Sequence, residues 1–165
     1  MHAPKNIGRP GARNGTDGPP TFVLGWATVG EAATQRNLVL ILARAFAAQI
    51  ATAVFLLDEE GTIIYYNESA ERLTGRPFIE GAGMTAAEWM TQSRPRDDAG
   101  ELIALENLPL GITMLKREPA HGVVTFTSQD GTPLRIENAT FPLFAHTEDF
   151  VGTFAIVWPL EQDRP

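Results

Sequence analysis

The sequence predicts an α+β domain: five strand-forming segments, split into a group of two and a group of three by a helical stretch. Three observations carry that prediction. Residues Val54–Leu57 and Thr62–Tyr66 are short β-rich runs joined by Asp58-Glu59-Glu60-Gly61. Residues Val123–Ser128 and Leu134–Leu143 are joined in the same way by Gln129-Asp130-Gly131-Thr132. Between the two hairpins the pattern is helical and interrupted by loop residues, and Phe150–Trp158 adds one more strand before Pro159. Runs of β-branched and aromatic residues bounded by Gly- and Asp-containing turns are the signature of antiparallel hairpins.

The boundaries follow from local chemistry. Residues 1–20 hold four prolines and four glycines and no apolar run, and read as a disordered tail. Thr21–Gly30 contains Phe22, Val23, Leu24 and Trp26 and reads as an extended arm. Glu31–Ala51 has neither Gly nor Pro and is rich in Ala and Leu, so it is expected to be an amphipathic helix, with Leu38, Val39, Leu42 and Phe46 on its apolar face. The arm and helix together fill residues 21–52, the domain proper spans 53–160, and 161–165 is a short tail.

Within the domain, Asn67 stands where a strand ends and a helix begins, a good N-cap for Glu68–Leu73, with Gly75 closing that helix. Thr85 with Glu88 predicts a capped helical turn over 85–91 that buries Trp89 and Met90. Ser93–Gly100 is a polar loop. A longer helix over 106–117 is expected to start near Asn107, because Pro109 is tolerated only in a first turn. Gly61 and Gly131 supply turn geometry that a side chain opposes.

Composition narrows function. The net charge is −7. Residues 1–53 carry five cations against Asp17 and Glu31, a net +3, which leaves −10 for the remainder. An acidic body repels phosphate backbones, so nucleic acid is not an expected partner. No apolar stretch is long enough to span a bilayer, and the chain reads as cytoplasmic. Cysteine is absent, which removes thiolate chemistry and cysteine–metal sites. Nucleophile-elbow, phosphate-loop, zinc-protease and dinucleotide glycine patterns are all missing, so an enzyme is not expected. The neighbouring carboxylates Glu59-Glu60 and Asp97-Asp98 fall in turns, without the burial that acid–base work requires.

The run from Val54 to Gly75 closely resembles the opening of PAS domains, where a strand pair leads to an Asn-x-x-Ala helix and a Leu-x-Gly turn. Asp130-Gly131-Thr132-Pro133-Leu134-Arg135 with Pro142-Leu143 resembles the family's penultimate hairpin, and Gly152–Val157 its final strand. The segment Asp97–Pro109 resembles the loop and long helix of bacterial PAS sensors. The likeness covers about two-thirds of the chain. It implies a five-stranded antiparallel sheet with helices crossing one face, preceded by the amphipathic helix. It further implies a sensing or interaction module of signal transduction, either alone or cut from a longer signalling protein, pairing as a homodimer through that helix. The open alternative for the helix is a cover for its own sheet.

Family cofactors are tested residue by residue. Adduct-forming flavin and thiol-linked chromophores need a cysteine that this chain lacks. His-ligated haem needs a histidine on the long helix; His121 and His146 lie outside it and His2 is in the tail, so neither haem nor a metal is expected. The inward faces are expected to present Phe55, Leu57, Ile63, Tyr65, Trp89, Leu108, Ile112, Leu115, Ile136 and Phe154, with Asn138 and Thr140 as polar exceptions. Such a cavity suits an apolar small molecule oriented by one or two hydrogen bonds. The alternatives are a filled core in a ligand-free scaffold domain, or a small α+β enzyme with unrecognised residues.

Overall fold

A computed structural model describes residues 25–160. The expected tails at 1–20 and 161–165, and the first part of the arm, lie outside the described residues. In chain order the elements are α1 (Gly25–Ala47), β1 (Ala53–Asp58), β2 (Ile63–Tyr66), α2 (Glu68–Thr74), α3 (Ala86–Ser93), a 3-10 turn (Leu105–Asn107), α4 (Pro109–Lys116), β3 (Ala120–Thr127), β4 (Pro133–Phe144) and β5 (Phe150–Pro159). The five strands form one antiparallel sheet in the order β2-β1-β5-β4-β3. The first and last strands are therefore neighbours at its centre.

Both faces of the sheet are covered. Helices α2, α3 and α4 cross the inner face over Leu57, Ile63, Tyr66, Val124, Phe126, Ile136 and Val157. Helix α1 lies on the outer face, where Ala43 and Ala47 pack on Val54, Leu56 and Phe154. The two small side chains let the helix approach the strands closely. The outer edge of β3 is not left bare: the backbone of Arg96 exchanges both hydrogen bonds with Thr125 at 2.7 and 2.9 Å. A covered edge offers no template for a foreign strand.

Local signals account for the caps. Asn67 is extended and its side chain accepts the Ala70 N–H, while Gly75 takes the left-handed conformation at the other end of α2. Thr85 and Glu88 form a reciprocal capping box on α3, and the backbone and side chain of Thr85 hold the Glu88 carboxyl below its ordinary pKa. Pro109 sits at the start of α4. Gly61 and Gly131 both have positive φ, 84° and 86°, within the two hairpin turns. In the second turn, hydrogen bonds from Ser128 and Thr132 hold the Asp130 carboxyl at about 2.

Helix α1 departs from expectation at both ends. It begins at Gly25 rather than Glu31, so residues 25–30 are helical rather than an extended arm. A glycine inside a growing helix costs about 1 kcal/mol, too little to stop it once propagation is under way. It ends at Ala47 rather than Ala51, where the side chain that caps α2 takes up the Ala47 carbonyl and two carbonyls of the turn into β1. The two amide hydrogens of Asn67 are shared among Ala47 O at 3.2 Å, Ile50 O at 2.9 Å and Thr52 O at 2.8 Å.

Candidate functional site

A cavity of about 100 Å³ lies between the inner face of the sheet and helices α2, α3 and α4. Its floor is built by strand alternation. Phe55 and Leu57 of β1 pair with Ala155 and Thr153 of β5; Asn138 of β4 pairs with Val157 of β5 and with Gly122 of β3. Every second residue of each strand thus faces the helices. The roof comes from Leu73 of α2, Trp89 and Met90 of α3, and Leu108 and Leu110 at the start of α4.

Eight of the twelve residues expected on the inward faces are brought together here: Phe55, Leu57, Ile63, Trp89, Leu108, Ile136, Asn138 and Thr140. Four others are placed elsewhere. Tyr65 and Phe154 both register against Leu56 and lie on the outer face, beneath α1. For Tyr65 the reason is a bulge. Leu56 pairs with Tyr65 but Leu57 pairs with Ile63, so Ile64 is an extra residue in β2. The alternation that starts at Ile63 changes phase there, and Tyr66 rather than Tyr65 turns inward. For Phe154 the reason is that β5 is apolar on both faces, since α1 covers the outer one. Ile112 is half-buried away from the cavity and Leu115 is 70 % exposed, because α4 turns Leu110 and Thr113 inward instead.

Several residues of the site carry no signal in the sequence. Val157 and Ala155 become visible only with the β1–β5 register, and Pro95 and Ser93 only with the return of the loop to β3. Leu73, Met90 and Val124 are apolar at positions where periodicity marks a buried face, which is the signal that could have found them.

The electrostatics of the cavity are simple: no charged side chain among the described residues lines it. Its hydroxyls spend their protons on backbone carbonyls. Thr74 Oγ1 donates to Ala70 O at 2.8 Å and Ser93 Oγ to Trp89 O at 2.8 Å. Thr140 Oγ1 lies 3.0 Å from Pro109 O and 2.7 Å from Thr113 Oγ1, tying α4 to β4. Asn138 Oδ1 is buried without a partner among the described residues. Beside the cavity, Phe55 and Trp89 meet edge to face at 5.4 Å. Tyr66 donates its hydroxyl to Pro77 O at 2.8 Å, and burial, then the nearby Glu71, raises its pKa.

The outer face of α1 forms a second feature. Leu38, Ile41, Leu42 and Phe46 are each at least half exposed, and Val39 is half-buried. Arg36 pairs with Glu59 and Asp149, which belong to the β1–β2 and β4–β5 turns. Arg44 reaches Glu80 at 2.9 Å and lies over the Tyr65 ring at 5.0 Å. His121 lies on the exposed part of β3, 2.7 Å from Glu137, and His146 is in the exposed β4–β5 turn. No described helix is long and apolar enough to cross a membrane.

Comparison with known proteins agrees with this architecture. The chain is similar in structure to the PAS domain of a Colwellia psychrerythraea protein, with 19% identity, a TM-score of 0.51, and coverage of 73% of this chain and 96% of that one. The PAS domain of BvgS from Bordetella pertussis is similar at 15% identity and a TM-score of 0.52, covering 75% and 87%. The LOV protein of Rhodobacter sphaeroides is similar at 13% identity and a TM-score of 0.56, covering 77% and 69%. No curated protein matches in sequence. The family model described as PAS fold matches residues 47–164, most of the chain. With its strand order, its Asn67 cap and its helices across one face of the sheet, the chain belongs to the PAS-fold family.

Proposed function

We propose that this domain is the sensory module of a signalling protein, holding a compact small molecule between sheet and helices and reporting it through α1. The observation that carries this reading is the double use of β1 and β5. Their inner residues Phe55, Leu57, Ala155 and Val157 line the cavity, and their outer residues Val54, Leu56 and Phe154 hold Ala43 and Ala47 of α1. One sheet thickness therefore separates ligand and output. A ligand shifts α1 only by packing differently in two states of these strands, and side chains shared across the central pair provide that difference. The reading involves no catalysis and places the domain in the cytoplasm, with a signalling protein as the recipient.

Two measurements test it. Mass spectrometry of the denatured extract of purified protein should release a small molecule, and Ala155→Leu, which fills the cavity, should displace it. The same substitution should change amide exchange along the described part of α1 by about threefold or more, while the β3–β4 turn stays constant. An α1 that exchanges identically in both proteins would sink the transmission route.

The exposed side chains of α1 also favour pairing with a second copy. Leu38, Ile41, Leu42 and Phe46 form an exposed apolar strip along α1, and at its end the Phe46 ring also lies 6.0 Å from that of Phe154. Light scattering should find a dimer, and Leu42→Glu with Phe46→Glu should yield monomers with an unchanged fold. Dimers that survive both changes would remove α1 as the main contact.

A further inference from the structure

The walls of the cavity are not held equally, and the difference points to the way in. This inference rests on the sensory reading above. The floor is the hydrogen-bonded sheet. Helix α4 is pinned to it by the buried hydroxyls of Thr113 and Thr140. Helix α2 is capped by Asn67, and its Thr74 carbonyl accepts from Gln129 N at 3.3 Å. The start of α3 is fastened by Ile63 N–H to Met84 O and by Ala86 N–H to Gly61 O, both at 2.8 Å. The remaining wall is the loop between α3 and the 3-10 turn. Its Pro95 is buried and lines the cavity. Arg96, beside it, pairs with Thr125, which stands between the lining residues Val124 and Phe126.

This loop is closed on itself. Ile103 N–H bonds Pro95 O at 2.9 Å, Asp97 N–H bonds Glu101 O at 3.0 Å, and Gly100 N–H bonds Asp97 O at 3.0 Å. Its polar links to the rest of the domain are few. Among the described residues they are the two backbone bonds between Arg96 and Thr125 and the exposed ion pair of Asp98 with Arg135 at 3.0 Å. Apolar contact adds Pro95 and the half-buried Ile103. The internal bonds survive if the loop moves as one body, so lifting it breaks only these outward links. Both of its ends are suited to turning. Arg94 holds φ at 47°, a left-handed conformation that a residue with a Cβ adopts at a cost. Ala104 is extended, between the loop and the 3-10 turn. We propose that residues 95–103 are the door of the cavity, swinging about Arg94 and Ala104 to admit and release its ligand. Lifting the loop takes Pro95 out of the wall and opens the space between α3 and β3.

The volume of about 100 Å³ is below the ~150 Å³ that admits benzene, so xenon is the probe. Xenon-induced shifts of the Leu57, Val124 and Val157 methyls report occupancy in the full chain, and xenon NMR gives the exchange rate. Arg96→Cys with Thr125→Cys fastens the door to β3, since residues paired in this way have Cα atoms about 5.5 Å apart, within the disulfide range. The chain has no cysteine of its own, so the new pair joins in one way. Oxidation should slow xenon exchange by about tenfold or more, and dithiothreitol should restore it. Asp98→Asn alone, which removes the ion pair, should speed exchange about twofold. A rate indifferent to oxidation overturns the door and leaves the sensory reading in place. Xenon that never shifts those methyls overturns both. If the double variant fails to fold, amide exchange of the wild type decides. The Thr125 N–H points to the door and should exchange about tenfold or more faster than those of Val124 and Phe126, which point to β4. Equal protection of the three would mean that the loop does not open on its own, and would overturn the proposal.

Discussion

Asn67→Ala should lose about 3–5 kcal/mol of folding stability and release the C-terminal end of α1. The side chain is 4% exposed and serves five backbone groups. Its oxygen accepts from Val54 N at 3.1 Å and Ala70 N at 3.0 Å. Its two amide hydrogens are shared among the three carbonyls where α1 ends and the chain turns into β1. Alanine leaves all five to find water in a crowded corner. Asn67→Asp separates the two halves of the role. Aspartate keeps both acceptor bonds and therefore the N-cap of α2, but it faces three carbonyls with a carboxylate. It should be destabilised nearly as much as alanine, with the loss concentrated in faster amide exchange at Ala48, Gln49 and Ile50. Chemical denaturation gives the free energy and exchange gives the location. An Asn67→Asp protein as stable as wild type would show that the amide bonds to α1 contribute little.

Gly111→Ala should be the second large loss, about 3 kcal/mol or more, and for a different reason. A Cβ at Gly111 would lie 1.8 Å from Leu105 O and 2.6 Å from Leu105 C, both backbone atoms of the 3-10 turn. Neither can rotate away, so α4 must separate from the turn that precedes it. Leu108 and Leu110, which roof the cavity, lie between and beside the two. The substitution should thus damage ligand retention as well as melting temperature. Gly81→Ala is the control: φ is +77° but nothing lies within 4 Å, so only the left-handed strain of about 1 kcal/mol is expected. Equal melting temperatures for the two variants would refute the close-approach argument.

The sheet was legible because its signals are local. Hairpin turns at Gly61 and Gly131, period-two strands and the Thr85–Glu88 box each need only a few neighbouring residues, and the structure carries all of them. The site was legible only where one face of an element is apolar and the other polar. Tyr65 beside Tyr66 offers no such contrast, and a bulge at Ile64 decided between them. Helix α4 is apolar at Leu110, Ile112, Met114 and Leu115, so its inward face was set by contacts with β3, β4 and β5 rather than by its pattern. Asn67 was readable as a cap for α2, since that bond spans three residues. Its bonds to Ala47, Ile50 and Thr52 span 15 to 20 residues and depend on α1 folding back over the sheet.

The adjacency of β1 and β5 also governs the order in which the molecule is assembled. Leu56 meets Phe154 across the centre of the sheet, a closure of about 100 residues whose entropy must be met before the contacts reward it. On a ribosome the β1–β2 and β3–β4 hairpins can form as they emerge, but the two halves remain unjoined until the last strand arrives. Until then Ala43 and Ala47 have only half of their floor. The helix read here as the output element is thus the last to find its place during synthesis, and its exposed apolar strip is then at its greatest risk of capture by another chain.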